Sequence, residues 1–342
     1  MGEGDTPLVP LVNWNKTSSR IYVKMETANP TGTYKDRPAS VSVSRARELG
    51  AKGVIVASDG NAAPAVAAYA ARAGLPCVVF MPGDTPRERL QQTAAYGANI
   101  LLLDGDINDC LDRAKDVGVF LNFHNCSTTV SLNPYQVEGD KTIAYEIVDQ
   151  LGFCPDWITV PIGGGSLLSG IVKGLKEMRE AGKIARLPKL LAVQAEACAP
   201  FVRAFESNTP IVRERNPLPT CALTITVPYP PDGLQAMEAL HAVDGTVAAV
   251  SEEELLRTVE LLASTQGLLA EPSGAASLAG RDKKEREGLF EEGSTIVSVI
   301  TGTGLKTLDI YGERLDMTRL VSLPNTADAV LSHVEKVFVG KW

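Results

Sequence analysis

The sequence predicts an α/β fold, and three observations carry that expectation. Short β-branched apolar runs recur along the chain, helical stretches lie between them, and Gly and Pro punctuate the joins. The runs are Val54-Ile55-Val56, Cys77-Val78-Val79-Phe80, Ile100-Leu101-Leu102-Leu103, Ile158-Thr159-Val160 and Thr295-Ile296-Val297. Brief, continuous apolar segments of this kind suit parallel strands buried on both faces. Between them, Ala62 to Ala73, Pro86 to Tyr96, Gly139 to Leu151 and Leu167 to Ala181 read as helices, so the order is that of βα units. Gly74-Leu75-Pro76 shows the punctuation, with Gly suited to the position after a helix and Pro blocking continuation before the next strand. At 342 residues the chain is long enough for two domains of ordinary size or one large α/β unit.

Composition narrows the function classes. With 44% hydrophobic and 22% charged residues, the chain matches ordinary globular proteins rather than disordered or membrane-embedded ones. A net charge of −8 and the absence of a dense Lys/Arg run argue against nucleic acid as a partner. The acidic N-terminus, Met1-Gly2-Glu3-Gly4-Asp5, lacks the apolar core of a secretion signal, and no apolar run reaches spanning length, so no membrane is expected. The six cysteines form no Cys-x-x-Cys pair and only three histidines are present. They read as reduced thiols of a cytoplasmic protein, with neither a disulfide framework nor a metal site. The Pro-rich stretch from 205 to 235 reads as a long irregular connection, of the kind that runs over a surface or closes over a substrate.

Three segments carry candidate chemistry. Asn29-Pro30-Thr31-Gly32-Thr33-Tyr34-Lys35-Asp36-Arg37 delivers one lysine just before a helical stretch expected to begin near Pro38. The positive end of a helix dipole penalises an ammonium there and favours the neutral amine that Schiff-base chemistry needs. Taken alone, a solvent-exposed Lys-Asp-Arg turn explains this segment better. Ala57-Ser58-Asp59-Gly60-Asn61-Ala62 follows a strand and opens an alanine-rich helix, where free amides suit an anion and Asn61 suits either a ligand oxygen or a helix cap. Gly163-Gly164-Gly165-Ser166 again joins strand to helix. Its backbone N–H groups can wrap a phosphate without Cβ clashes, although a plain tight turn has the same look. It is neither a Walker A loop nor a dinucleotide fingerprint.

Read together, these segments resemble the fold type II enzymes that use pyridoxal 5′-phosphate (PLP), the group of threonine synthase, threonine dehydratase and tryptophan synthase β. Three further segments look most like threonine synthase: Asn133-Pro134-Tyr135-Gln136-Val137-Glu138-Gly139-Asp140-Lys141-Thr142, Glu271-Pro272-Ser273-Gly274-Ala275-Ala276-Ser277 and Thr301-Gly302-Thr303-Gly304-Leu305-Lys306. The resemblance implies two open twisted-sheet domains with helices on both faces and PLP in the cleft between them. Residues 40–136 would form the smaller domain, and 1–39 with 137–342 the larger. It implies that Lys35 holds PLP as a Schiff base and shuttles protons, and that Asn61 bonds the ring oxygen. Gly163, Gly164, Gly165 and Ser166 would cradle the phosphate, and Thr301 would stand near the pyridine nitrogen. Ser58, Asp59, Ala62, Ser131 and Gln136 would face the amino-acid substrate. A homodimer is the implied assembly.

Some positions depart from the threonine synthase pattern. Gln136 stands where an arginine belongs to the site for the substrate's own phosphate. A glutamine amide lacks the charge-assisted pair of bonds, each worth about 1.5–3 kcal/mol, that a guanidinium offers. Asp59 replaces Ser or Thr and brings a negative charge toward an anionic substrate. Thr303 replaces a histidine, and the glycine loop itself looks more like the dehydratases. The functional expectation is therefore a threonine synthase or close offshoot acting on O-phosphohomoserine or a related amino acid. Elimination or β-replacement on serine, threonine or an activated serine is the alternative, and a PLP-fold binding protein without turnover is a third.

Overall fold

The computed structural model describes residues 1–14, 18–313 and 320–338. Met1–Lys306 form one compact unit and Thr307–Trp342 a second. In the first unit the chain runs β1 (Leu8–Pro10), β2 (Arg20–Met25), α1 (Asp36–Glu48), β3 (Gly53–Ala57), α2 (Ala62–Ala73), β4 (Cys77–Pro82), α3 (Arg87–Ala95), β5 (Asn99–Leu103), α4 (Ile107–Leu121) and β6 (Phe123–Asn125). It continues through α5 (Val137–Asp140), α6 (Thr142–Leu151), β7 (Trp157–Pro161), α7 (Ser166–Glu180), β8 (Lys189–Ala195), α8 (Pro200–Ser207), α9 (Gly233–His241), β9 (Thr246–Val250), α10 (Glu252–Gln266), α11 (Pro272–Arg286) and β10 (Thr295–Ile300). The second unit carries α12 (Leu308–Glu313) and α13 (Ala327–Phe338). The carboxyl end is described as far as 338.

The expected α/β class is what the chain forms, in two sheets. One has six strands in the order β1-β2-β10-β7-β8-β9 and the other four in the order β5-β4-β3-β6. Among the described strand pairs only β1–β2 is antiparallel. Alternate residues of each strand serve opposite faces, which is why both faces need helices. In the six-stranded sheet, Ile158, Val160, Leu190 and Ala192 pack with residues of α6, α7 and α9. Their neighbours Trp157, Leu191 and Val193 pack instead with Leu255 of α10 and Ala276 and Ala279 of α11. The four-stranded sheet repeats the plan: Val54, Val56 and Val79 meet α1 and α2, while Ile55, Ala57 and Phe80 meet Cys110 and Ala114 of α4.

Local chemistry sets the element ends. Gly74 closes α2 in the left-handed conformation at φ 70°, the role its sequence context predicts. Helix α1 starts at Asp36, two residues before Pro38, because the Asp36 carboxylate accepts bonds from the Thr31 amide and hydroxyl at 3.0 and 2.9 Å and so ties off the preceding turn. The stretch Gly139 to Leu151 is two helices rather than one, α5 and α6, with Lys141 between them.

Arg37 fastens the first turn of α1 from beneath. Its guanidinium donates to Glu26 at 2.7 and 2.8 Å and to Glu146 at 2.5 and 2.7 Å. Lys24, fully buried, adds a bond to Glu146 at 2.6 Å. A planar, permanently charged fork that satisfies two carboxylates at once is work suited to Arg.

Candidate active site

A cavity of about 110 Å³ opens at the carboxyl ends of β3, β7 and β10. Its position follows from strand order. The sequence order of strands reverses at β3, whose neighbours are β4 and β6, and at β7, whose neighbours are β8 and β10. Connections leaving such a strand and its neighbour diverge to opposite faces, and the crevice between them is where open α/β sheets bind ligands. Ala57 to Asn61 leave β3, Gly163 to Ser166 leave β7, and all line this cavity.

Lys35 lines the same cavity and is the residue preceding α1. Its loop is pinned from the far end of the chain: the Tyr34 amide and the Thr33 hydroxyl both donate to the Thr301 carbonyl at 3.0 Å, and the Thr303 amide donates back to Gly32 at 2.9 Å. Burial pushes the Lys35 ammonium down to about 8, with the carboxyls of Asp140 and Asp232 resisting. Lys35 Nζ rests 4.6 Å from the centroid of the Tyr34 ring. A lysine so placed deprotonates near neutral pH.

The glycine loop is a cradle of unused donors. The Ile162 amide donates to Val193 and the Ser169 amide to Gly165, whereas the amides of Gly163, Gly164, Gly165 and Ser166 reach no protein acceptor among the described residues. They sit at the N-terminus of the 15-residue α7, where partial positive charge favours an anion. Gly165 adopts φ 107°, and a Cβ there would lie 2.8 Å from the Asp232 carbonyl oxygen. Gly165→Ala is therefore expected to lower stability by about 1–3 kcal/mol, measured as a fall in the urea midpoint at unchanged slope.

Asn61 precedes α2 but makes no side-chain cap bond. Its Nδ2 donates instead to Glu271 Oε1 at 2.7 Å, and Thr224 Oγ1 reaches the same oxygen at 3.3 Å. This joins the turn after β3, the start of α11 and the 205–235 segment. That segment covers the cleft: Thr224, Ile225, Val227 and Pro231 line it. Thr301, buried, lines it from the β10 side.

The structure gathers Lys35, Ser58, Asp59, Asn61, Ala62, Gly163, Gly164, Gly165, Ser166 and Thr301 around one cavity. Ser131 and Gln136 stand outside its lining. Ser131 is exposed and within 3.1 Å of the Thr129 hydroxyl, and Gln136 is fully buried with neither amide atom bonded. Glu271, Thr224, Tyr34 and Asn108 also line the cavity, though the sequence reading assigns none of them a site role. Glu271 was open to such a reading, since a charged residue directly before Pro272 at a helix start is a poor core residue. Among the described residues no cluster of His, Cys, Asp and Glu is arranged to hold a metal, and no helix is long and apolar enough to cross a membrane.

Comparison with known proteins gives concordant matches. The family model described as "Pyridoxal-phosphate dependent enzyme" matches residues 1–302. A threonine synthase of Halalkalibacterium halodurans is 38% identical over 98% of this chain and 92% of its own. One from Methanocaldococcus jannaschii is 39% identical over 90% of this chain and 76% of its own. Among solved structures, a fungal L-serine ammonia-lyase from Rhizomucor miehei superposes with a TM-score of 0.76 at 21% identity, covering 91% of this chain and 98% of its own.

Proposed function

The chain belongs to the pyridoxal-phosphate dependent enzymes, and from that premise we propose that it is a threonine synthase or a close offshoot. It would convert O-phosphohomoserine, or a related activated amino acid, to threonine or an analogue by elimination and β-addition. The observation that carries this reading is the 38% identity to a threonine synthase along 98% of the chain.

The residues present fit the cofactor. Four unused amides at the start of α7 match a phosphate, and Lys35 supplies an amine whose charge is already weakened by burial. In this reading Lys35 holds PLP as a Schiff base, Asn61 faces the ring oxygen, Gly163, Gly164, Gly165 and Ser166 hold the phosphate, and Thr301 offers a hydroxyl toward the pyridine nitrogen. Bound PLP supplies a ring that accepts the electron pair left when a proton leaves the substrate. The chain's own part is to present Lys35 Nζ as a base and acid at neutral pH, to orient Asn61 through Glu271, and to shield the reacting atoms with the 205–235 segment. Ser58, Asp59 and Ala62 are proposed to meet the substrate. Residues 40–136 are proposed as the smaller lobe. The enzyme is further proposed to act in the cytoplasm as a homodimer.

A second reading, elimination or β-replacement on serine, threonine or an activated serine, has one observation in its favour. Lys35 is the one cationic side chain among the described residues lining the cleft, which also holds the acids Asp59 and Glu271. A substrate carrying its own phosphate meets no guanidinium there. The two readings separate in one assay. Purified enzyme with PLP and O-phosphohomoserine is expected to release threonine and phosphate in equal amounts. If threonine stays absent at high enzyme concentration while serine or threonine yields ammonia and a 2-oxo acid, the second reading replaces the first.

A further inference from the structure

Asp140 is the strongest unexplained group in the fold. It is fully buried, and neither carboxyl oxygen has a hydrogen-bond partner. Leaving a carboxylate in that state is expensive, so its retention calls for a reason. Its surroundings are tightly built. The preceding Gly139 stacks so closely on the Arg37–Pro38 peptide of α1 that a Cβ would collide with it, and a Cβ on Gly170 of α7 would fall 2.5 Å from the Asp140 Cβ. Asp140 is thereby fixed against the first turn of α1, which Lys35 immediately precedes.

The charged groups around it sort themselves. Glu26 and Glu146 are consumed by Arg37 and Lys24. Asp232, the other acid acting on Lys35, accepts bonds from the Thr129 hydroxyl at 2.8 Å and the Val130 amide at 2.9 Å. Hydrogen bonds of that kind favour a charged carboxylate. Burial raises Asp232 too, with those two bonds pulling it back, whereas Asp140 has no bond to oppose its burial. Tyr34 also feels Asp140 and is held protonated by burial first and by that charge second.

We propose that Asp140 is a positioning residue whose negative charge sets how firmly Lys35 Nζ holds its proton. With Asp140 ionised the ammonium is favoured, and with Asp140 neutral Nζ is more readily the free amine that acts as nucleophile or base. Coupling acts through space, since the Asp140 carboxyl makes no hydrogen bond. Burial pushes Asp140 up to about 7 while Lys35 and Arg37 pull against it, and Asp232 and Glu26 add to the rise. Burial thus moves the carboxyl up and the Lys35 ammonium down, each toward its neutral form.

The inference rests on Lys35 being the amine that holds PLP, and the test separates the two. The full-length chain is loaded with PLP, and the absorbance of the bound cofactor is titrated with pH for the parent, Asp140→Asn and Lys35→Ala. Asp140→Asn removes the negative charge that favours a proton on Nζ, so the midpoint is expected to fall by about one pH unit. A purely structural role would lower stability and leave the midpoint in place, and an unmoved midpoint overturns the proposal. If Lys35→Ala keeps the parent's cofactor absorbance, the assignment of Lys35 itself fails. If it loses that absorbance while Asp140→Asn titrates like the parent, only the role of Asp140 fails. Should Asp140→Asn not fold, infrared titration of the protonated carboxyl band decides: its midpoint should rise in Lys35→Ala relative to the parent, and an identical midpoint overturns the inference.

Discussion

Replacing Lys35 with alanine is expected to abolish turnover while leaving the protein folded. Removing a positioned proton-transfer group alone costs roughly 10²–10⁴ in rate, and loss of the nucleophilic amine deepens that. Stability should hold because Lys35 Nζ forms no ion pair among the described residues and contributes a cation–π contact to Tyr34, while burial already disfavours its charge. Steady-state assays together with a urea melt decide the matter. A folded variant with parental activity would show that the chemistry lies elsewhere in the cleft.

Arg37→Ala, two residues away, should do the opposite and cost stability first. Truncating one partner of a buried ion pair leaves the other charges uncompensated, at about 3–5 kcal/mol. Here two carboxylates, Glu26 and Glu146, would be stranded, with Lys24 left to answer for Glu146. The pH dependence adds a signature. Although burial opposes it, bonds from Arg37 and Lys24 hold Glu146 at about 2, below its ordinary 4.5. A depressed carboxylate stabilises the fold above its unfolded pKa, and that contribution drains away as pH falls from about 4.5 toward 2. The parent should therefore lose stability across that acid window, and Arg37→Ala should lose less. Urea midpoints measured at neutral pH and through the window test both statements.

The sequence made the layer plan legible because buried parallel strands are short, apolar and β-branched, as Gly53–Ala57 and Thr295–Ile300 are. The site's backbone was legible for a related reason: turns such as Gly163 to Ser166 advertise their geometry in the residues they require. Side chains whose role depends on a distant partner were not. Glu271 matters because Asn61 and Thr224 meet it from 210 and 47 positions away, and no local pattern encodes that meeting. Gln136 shows the converse. It stands in a segment that resembles a substrate-binding motif, yet the turn into α5 carries it into the interior and away from the cleft lining. The 205–235 segment looked like a connection because its prolines deny it regular structure, and the same irregularity lets it drape over the cleft.

The pinning of the Lys35 loop sets an order of events. Thr33 and Tyr34 are held by a carbonyl 268 and 267 positions later, that of Thr301. On a ribosome, the lysine is made long before the strand and turn that fix its place. Until β10 joins β2 and β7, residues 29–37 have no anchor on that side, and closing so long a loop is slow. A nascent chain that has passed Asn125 but not reached β10 would carry every strand of the smaller sheet and still lack the carbonyl that anchors the Lys35 loop. The fixing of Lys35 is in this sense a report that synthesis has reached β10.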